Sequence, residues 1–270
     1  MTTITPAYRS SAATARLTFA HVVRAEWLGL HSLRATVTTY VVGGALVLLA
    51  IVGMAVAWGF TGSPDAPKIA PPIEMLLSYG LVFAQIVGVL IGAAIYAKEH
   101  STGSLRTQLA AAPRRAMTLL AKAVVVAVAT FAWALVVFVL AALGAALVFL
   151  LFGGELTINA GPLVQAVLGG ALLVALTGVL ALGVAALVRS ETWAVTLVLA
   201  FLLFLPVAIG LLPFEWAPTV NGLLFATASG VLTTPVEVFD GDAIRNVVLT
   251  IAWPAAALLG GMAVMTRRDA

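Results

Sequence analysis

Uncharged, apolar runs separated by short charged connectors dominate this chain of 270 residues. A helix needs about 20 apolar residues to cross roughly 30 Å of hydrocarbon, and each of the longest runs reaches that length. These runs predict an all-α polytopic membrane protein with six transmembrane helices, at about residues 36–60, 75–97, 123–152, 162–188, 192–212 and 246–266. With their connectors they form one predicted transmembrane domain, residues 36–270.

The stretch before the first span, residues 15–34, has a helical period of its own. Its apolar face holds four side chains, namely Phe19, Val23, Trp27 and Leu30. A basic amphipathic helix with a tryptophan on its apolar side suits a membrane interface. We therefore expect an interfacial helix that ends near Arg34, within a cytoplasmic N-terminal segment at residues 1–35. An ordinary helix leading into the first span is the alternative. Glu26 interrupts the apolar face and is costly there unless a neighbouring Arg or a partner subunit pairs with it.

A further uncharged stretch, residues 216–236, is not interpreted as a seventh span. It contains helix-breaking and polar residues, among them Pro218, Asn221 and Gly222. A seventh crossing would also place the basic C-terminus outside. We predict one or two short re-entrant helices within residues 214–240, on the extracellular side and packed on protein so that their backbone groups are satisfied.

Composition supports membrane insertion, because 62% of the residues are hydrophobic and only 9% are charged, with a mean hydropathy of +1.12. Soluble domains carry about 25% charged residues. The formal charge of +3 does not indicate a nucleic-acid partner, because the basic residues cluster at span ends and form no single stripe. We expect the lipid bilayer to surround the chain and no nucleic acid to bind it. The chain has no cysteine, and hence no disulfide.

The basic residues alternate between connectors. Of the 14 Lys and Arg residues, 12 lie in the N-terminal segment, the central connector, the connector after the fourth span and the C-terminus. The other connectors hold only Lys68 and Arg245, together with seven acidic residues: Asp65, Glu74, Glu155, Glu215, Glu237, Asp240 and Asp242. Cytoplasmic loops carry the excess of Lys and Arg. This alternation predicts a multi-pass protein of the inner (cytoplasmic) membrane with both termini in the cytoplasm.

No motif predicts that this chain hydrolyses ATP. A P-loop requires Gly-Lys followed by Ser or Thr, whereas the three lysines follow Pro67, Ala97 and Ala121. The zinc-protease pattern HExxH is absent, and the apolar runs contain no paired carboxylates. We predict no catalytic residue, no metal ligand and no cofactor in this chain.

Few polar side chains lie within the predicted spans. The six runs contain no histidine, which disfavours proton or metal transport through titratable groups. Gln85 and Gln165 are the candidate pathway residues. A mid-span glutamine such as Gln85 is more often an interhelical hydrogen-bond partner than a substrate ligand.

The central connector, residues 98–122, is the longest charged interval between two apolar runs. It carries five basic residues, Lys98, Arg106, Arg114, Arg115 and Lys122, against the single acid Glu99. Residues 103–112 have helical composition, and Pro113 is a plausible stop. Spacing alone leaves two interpretations open. One is a solvated loop whose charge sets topology, and the other is a short helix that docks a soluble partner.

The order of residues in this connector resembles the cytoplasmic loop of ABC-2-type transporter permeases. The resemblance is carried by Glu99, Gly103, Ser104, Leu105, Leu109, Pro113, Arg115 and then Ala121-Lys122. The chain departs from the common pattern in two places, because Ser104 replaces the usual Thr and Arg114 and Arg115 follow Pro113 directly. Span number and order fit the same family across nearly the whole chain.

The resemblance implies a type V ABC exporter-like fold in which the connector forms a coupling helix in a groove of an ATP-binding subunit. Arg106 and Arg114 would add to its charged contacts. The implied function is that of a transmembrane permease subunit that moves a hydrophobic or amphipathic drug, peptide or lipid. ATP and Mg²⁺ would be bound by a separate ATPase subunit, and a second permease subunit, identical or paralogous, would complete the pathway. A non-transporting membrane anchor or sensor that recruits a soluble partner through the basic connector is the alternative.

Overall fold

The computed structural model describes residues 18–32, 34–61, 71–102, 115–152, 158–234 and 240–267. These residues form helices and the turns between them, without a β-strand. Within these ranges six helices are long and apolar enough to cross a membrane. The prediction of an all-α chain with six helices of membrane-spanning length and composition is therefore confirmed for the described residues.

The long helices are numbered in chain order after a short first helix. They are α2 (Arg34–Thr61), α3 (Ile73–Thr102), α4 (Arg115–Leu151), α5 (Ala160–Val188), the composite helix α6–α7 (Glu191–Gly210) and α11 (Gly241–Arg267). The largest difference from the predicted spans is at the start of α4, which begins at Arg115 and not at residue 123. Lys122 therefore lies about two turns inside a helix and not in a connector. Charge marks where a helix leaves hydrocarbon, but it does not mark where the helix ends.

The first helix, α1 (Phe19–His31), packs mainly against α4 and is separated from α2 by a short break. Ser32 donates its backbone amide to Leu28 O at 3.0 Å and closes α1, and α2 begins at Arg34. The predicted amphipathic helix before the first span is thus present as a separate element. Its position at a membrane interface stays a prediction.

The fifth long helix is interrupted by a wider turn. α6 (Glu191–Leu199) continues through a π-helical segment (Ala200–Phe204) into α7 (Leu205–Gly210). Pro206 lies in the first turn of α7, where it has no N–H to donate and its ring crowds the carbonyl four residues earlier. A π-helical turn accommodates such a residue without ending the helix.

Three short helices replace the predicted re-entrant segment. They are α8 (Ala217–Leu223), α9 (Phe225–Ala228) and α10 (Gly230–Thr233). None is long enough to cross a bilayer at 1.5 Å per residue. They connect α7 to α11 and pack against α5 and α11. Their depth in a membrane stays a prediction.

The fourth long helix, α5, is the centre of the bundle. It is the most buried of the six and contacts α3, α4, α6, α10 and α11. Glycine makes this close packing possible. A Cβ atom on Gly92 of α3 would collide with the carbonyl oxygen of Gly178, and one on Gly88 would lie 2.8 Å from Val174 O. Glycines four residues apart on one helix face are typical of close helix contact, and here that contact lies between α3 and α5.

The bundle has two distinct ends. At the connector end, Tyr96 of α3, Leu119 of α4 and Met265 of α11 pack in one cluster, so the last part of α3, the first turns of α4 and the last turns of α11 lie together. At the short-helix end lie the N-termini of α3, α5 and α11 together with α8–α10. These names are used below.

Candidate functional site

Most residues of the predicted coupling loop lie outside the described part of the chain. These are Gly103, Ser104, Leu105, Arg106, Leu109, Pro113 and Arg114. Glu99 lies in the last turns of α3 and Arg115 begins α4, and of both only the backbone is described. The helix before the connector therefore extends to Thr102, and the helix after it begins at Arg115. The coupling helix itself stays a prediction.

The apolar face predicted for α1 is divided in two. Leu30 is buried and Val23 is half-buried, packed against Val125 of α4 and Ile91 of α3. Phe19 and Trp27 remain exposed. One side of the predicted face thus holds α1 on the bundle, while its two aromatic rings stay available to lipid.

Arg34, where the interfacial helix was expected to end, is instead the exposed first residue of α2. The break before it separates α1 from the first long helix.

Glu26 and Lys122 form an ion pair between α1 and α4. Lys122 Nζ donates to Glu26 Oε2 at 2.6 Å, and only 3% of the Lys122 side chain and 12% of the Glu26 side chain are exposed. One described partner of Glu26 is therefore a lysine of the same chain, and the expected Arg or partner subunit stays a prediction. Charge-assisted hydrogen bonds of this length are stronger than neutral ones.

The candidate pathway residue Gln165 has a structural role at the short-helix end. Its Nε2 donates to Val231 O at 3.2 Å and to Thr234 O at 2.7 Å. Beside it, a Cβ atom on Gly169 would collide with the carbonyl oxygen of Leu232. Gln165 and Gly169 therefore hold α10 directly on α5.

Two further hydrogen bonds fasten the short helices. Trp253 Nε1 of α11 donates to Leu223 O at 3.0 Å, and Asn221 Nδ2 of α8 donates to Pro206 O at 3.2 Å. In hydrocarbon each unsatisfied backbone group costs several kcal/mol. Leu223 is the last residue of α8, so the Trp253 side chain satisfies a carbonyl group where helical hydrogen bonding stops.

Gln85, the other candidate pathway residue, is half-buried in the middle of α3. It lies one turn from both Leu81 and Val89, which pack in one cluster with Val198 and Leu202 of the fifth long helix. Within the described ranges its side chain has no hydrogen bond. Gln85 thus lies on the face of α3 that is directed towards the π-helical segment, and its role in a pathway stays a prediction.

A cavity of about 370 Å³ lies at the short-helix end. It is enclosed by the first turns of α3, the middle of α4, the N-terminal half of α5 and the end of α10. Its walls include Glu74, Ser78, Phe138, Ala166, Gly170 and Thr234. The sequence had suggested no site here, because its residues come from four elements and only Glu74 carries a charge.

The two locations have different chemistry. The connector end joins helices through a buried ion pair, whereas the short-helix end encloses space next to a carboxylate. Among the described residues no three His, Asp or Glu side chains are close enough to hold a metal ion. The arrangement therefore offers a mechanical link at one end and a binding volume at the other.

No protein-family model matches this chain, and no curated protein sequence matches it. Its function must therefore be argued from its own residues and their arrangement.

Proposed function

We propose that the chain is the transmembrane permease subunit of an ABC-2-type exporter. It moves a hydrophobic or amphipathic substrate, such as a drug, a peptide or a lipid, across the cytoplasmic membrane. A separate ATPase subunit binds ATP and Mg²⁺ and supplies the energy. The six long apolar helices and the resemblance of the central connector to the loop of this family support the proposal.

One observation carries the proposal most directly, the Glu26–Lys122 pair. Lys122 lies about two turns after the first residue of α4, which follows the central connector. A displacement of the connector is therefore transmitted to α4 along a continuous helix and to α1 through a buried ion pair. A simple solvated loop does not require such a link.

The neighbours of Lys122 extend the same link. Leu119 and Ala123 of α4 pack with Tyr96 at the end of α3 and with Met265 at the end of α11. The helices on both sides of the connector thus meet in one apolar cluster. A force applied between them would tilt α3 and α4 relative to the rest of the bundle.

In this proposal the connector binds the ATPase through its charged residues. Glu99, Arg106, Arg114 and Arg115 are the charged contacts, and the helix at residues 103–112 is the lever. Both termini are cytoplasmic, on the same side as the ATPase. A second permease subunit, identical or paralogous, covers part of the exposed apolar surface and the bilayer covers the rest.

The experiment reverses two charges in the connector. The tagged chain, purified in mild detergent from its native membranes, should retain Mg²⁺-dependent ATP hydrolysis from its partner. Arg114→Glu together with Arg115→Glu should lower the retained activity by about tenfold or more, since placing like charges opposite each other costs several kcal/mol. Arg245→Glu, at an exposed site of the other end, is the matched control and should retain the activity.

Two results would contradict the proposal. A purified complex without any nucleotide-hydrolysing subunit would favour the alternative, a membrane anchor or sensor that recruits a soluble partner. Full activity in the charge-reversed variant, with normal membrane insertion, would remove Arg114 and Arg115 from the contact.

A further inference from the structure

The cavity at the short-helix end has an apolar inner wall. Phe138 is buried, and Ala166 and Gly170 of α5 lie beside it. A Cβ atom on Gly170 would lie 2.9 Å from Phe138 Cε2, so the glycine leaves room for the ring and for the space next to it. A volume of about 370 Å³ lies in the range of small-molecule sites, about 300–1,000 Å³.

The outer wall of the cavity carries a carboxylate. Glu74 and Ser78 are four residues apart on α3, so they lie on the same face. Glu74 is half-buried, and in the part of the chain that the structure describes it forms no ion pair. The Ser78 hydroxyl donates to Met75 O at 2.6 Å, so its remaining capacity is that of an acceptor. The polar groups of this wall therefore favour an occupant that donates hydrogen bonds or carries positive charge.

The described charged residues at the short-helix end are mostly acidic. They comprise four carboxylates, Glu74, Glu215, Asp240 and Asp242, and one basic residue, Arg245. Arg245 is already paired with Asp242, at 2.9 Å. A field of one sign over a low-dielectric cleft concentrates ions of the opposite sign.

We propose that this cavity binds a lipophilic organic cation, with its apolar or aromatic body against Phe138 and Ala166 and its positive charge at Glu74. A neutral lipid chain would cover Glu74 without compensating its charge, and an anion would be repelled by it. The aromatic ring of Phe138 adds a favourable surface for a cation. The inference depends on the proposed function only for the role of the cation as cargo, because binding itself requires neither ATP nor an ATPase.

The test uses two probes of the same shape and opposite charge, tetraphenylphosphonium and tetraphenylborate. Binding to the full chain in phosphatidylcholine nanodiscs is measured by equilibrium dialysis, with empty nanodiscs subtracted. The phosphonium should bind saturably. Glu74→Gln should weaken its binding by about tenfold or more, because a charge pair at a protein surface interacts by several kcal/mol. Ala166→Phe should abolish it by filling the cavity.

The matched control is Glu215→Gln, an exposed carboxylate of the same end outside the cavity wall, which should leave binding unchanged. Equal effects of Glu74→Gln and Glu215→Gln, or borate binding as tight as phosphonium binding, would overturn the inference. Glu74→Gln removes only a charge at a half-buried site, so the test does not depend on whether Ala166→Phe folds. Failure of this binding test leaves the export proposal intact. Specific cation binding by a chain that has no ATPase partner would support the binding site but contradict export.

Discussion

Replacing Glu26 with leucine tests the ion pair between α1 and α4. The pair joins Lys122 Nζ to Glu26 Oε2 at 2.6 Å, with 3% of the Lys122 side chain exposed. At that distance two unit charges attract by about 6 kcal/mol at an effective dielectric constant of about 20. Desolvation costs several kcal/mol for each ion. The net contribution of the intact pair is therefore small, and the loss of one partner is the larger effect.

The two single substitutions should differ in magnitude. Glu26→Leu removes the carboxylate that Lys122 contacts in the rigid α4 helix, and we expect a loss of about 3–5 kcal/mol in the free energy of unfolding. Lys122→Met removes the ammonium group that Glu26 contacts on the peripheral helix α1, where 12% of the Glu26 side chain is exposed. The Glu26 carboxylate is more easily hydrated, so we expect a smaller loss, about 1–3 kcal/mol.

The double variant, Glu26→Leu with Lys122→Met, should restore most of the stability, because apolar side chains of similar volume replace both ions. Unfolding in mixed micelles with increasing mole fraction of dodecyl sulfate measures all four proteins, and the cycle gives the coupling energy. Losses that simply add in the double variant, or a Glu26→Leu protein as stable as the original, would refute the argument that α1 is held by this pair.

Three further predictions concern packing and topology. Gly92→Ala should lower the free energy of unfolding by about 1–3 kcal/mol through overpacking. The control Gly53→Ala, with nothing within 4 Å of the new methyl group, should be neutral or slightly stabilising. Equal unfolding midpoints of the two variants would contradict the close contact at Gly92. Gln165→Leu removes two hydrogen bonds to α10, so amide exchange of residues 230–234 should accelerate by about tenfold or more, and unchanged exchange would show that other contacts hold α10. A cysteine at the exposed Thr234 should react with an impermeant maleimide only from outside the cell, and cytoplasmic labelling would reverse the predicted topology.

Sequence alone was sufficient for the coarse architecture, because the cost of exposing backbone and charge to hydrocarbon requires long uncharged helices. The six long apolar helices follow from that requirement. The helix-breaking residues after residue 215 predicted the short helices found between residues 217 and 233. The glycine spacing at Gly88 and Gly92 also indicated a close helix contact. It did not indicate which helix would be the partner.

Only the tertiary structure decided which side chains meet. Lys122 resembled one more positive charge of a connector, yet it is buried against Glu26, 96 residues away in the chain. Gln165 holds α10 in place, a contact that its sequence position did not indicate. Glu74, Phe138 and Gly170 carry no common motif and enclose one cavity. Periodicity in the sequence indicates how each helix divides its faces between lipid and protein. Which side chains meet across the bundle depends on the rotation and axial position of each helix, and these are set by the packing of all the helices together.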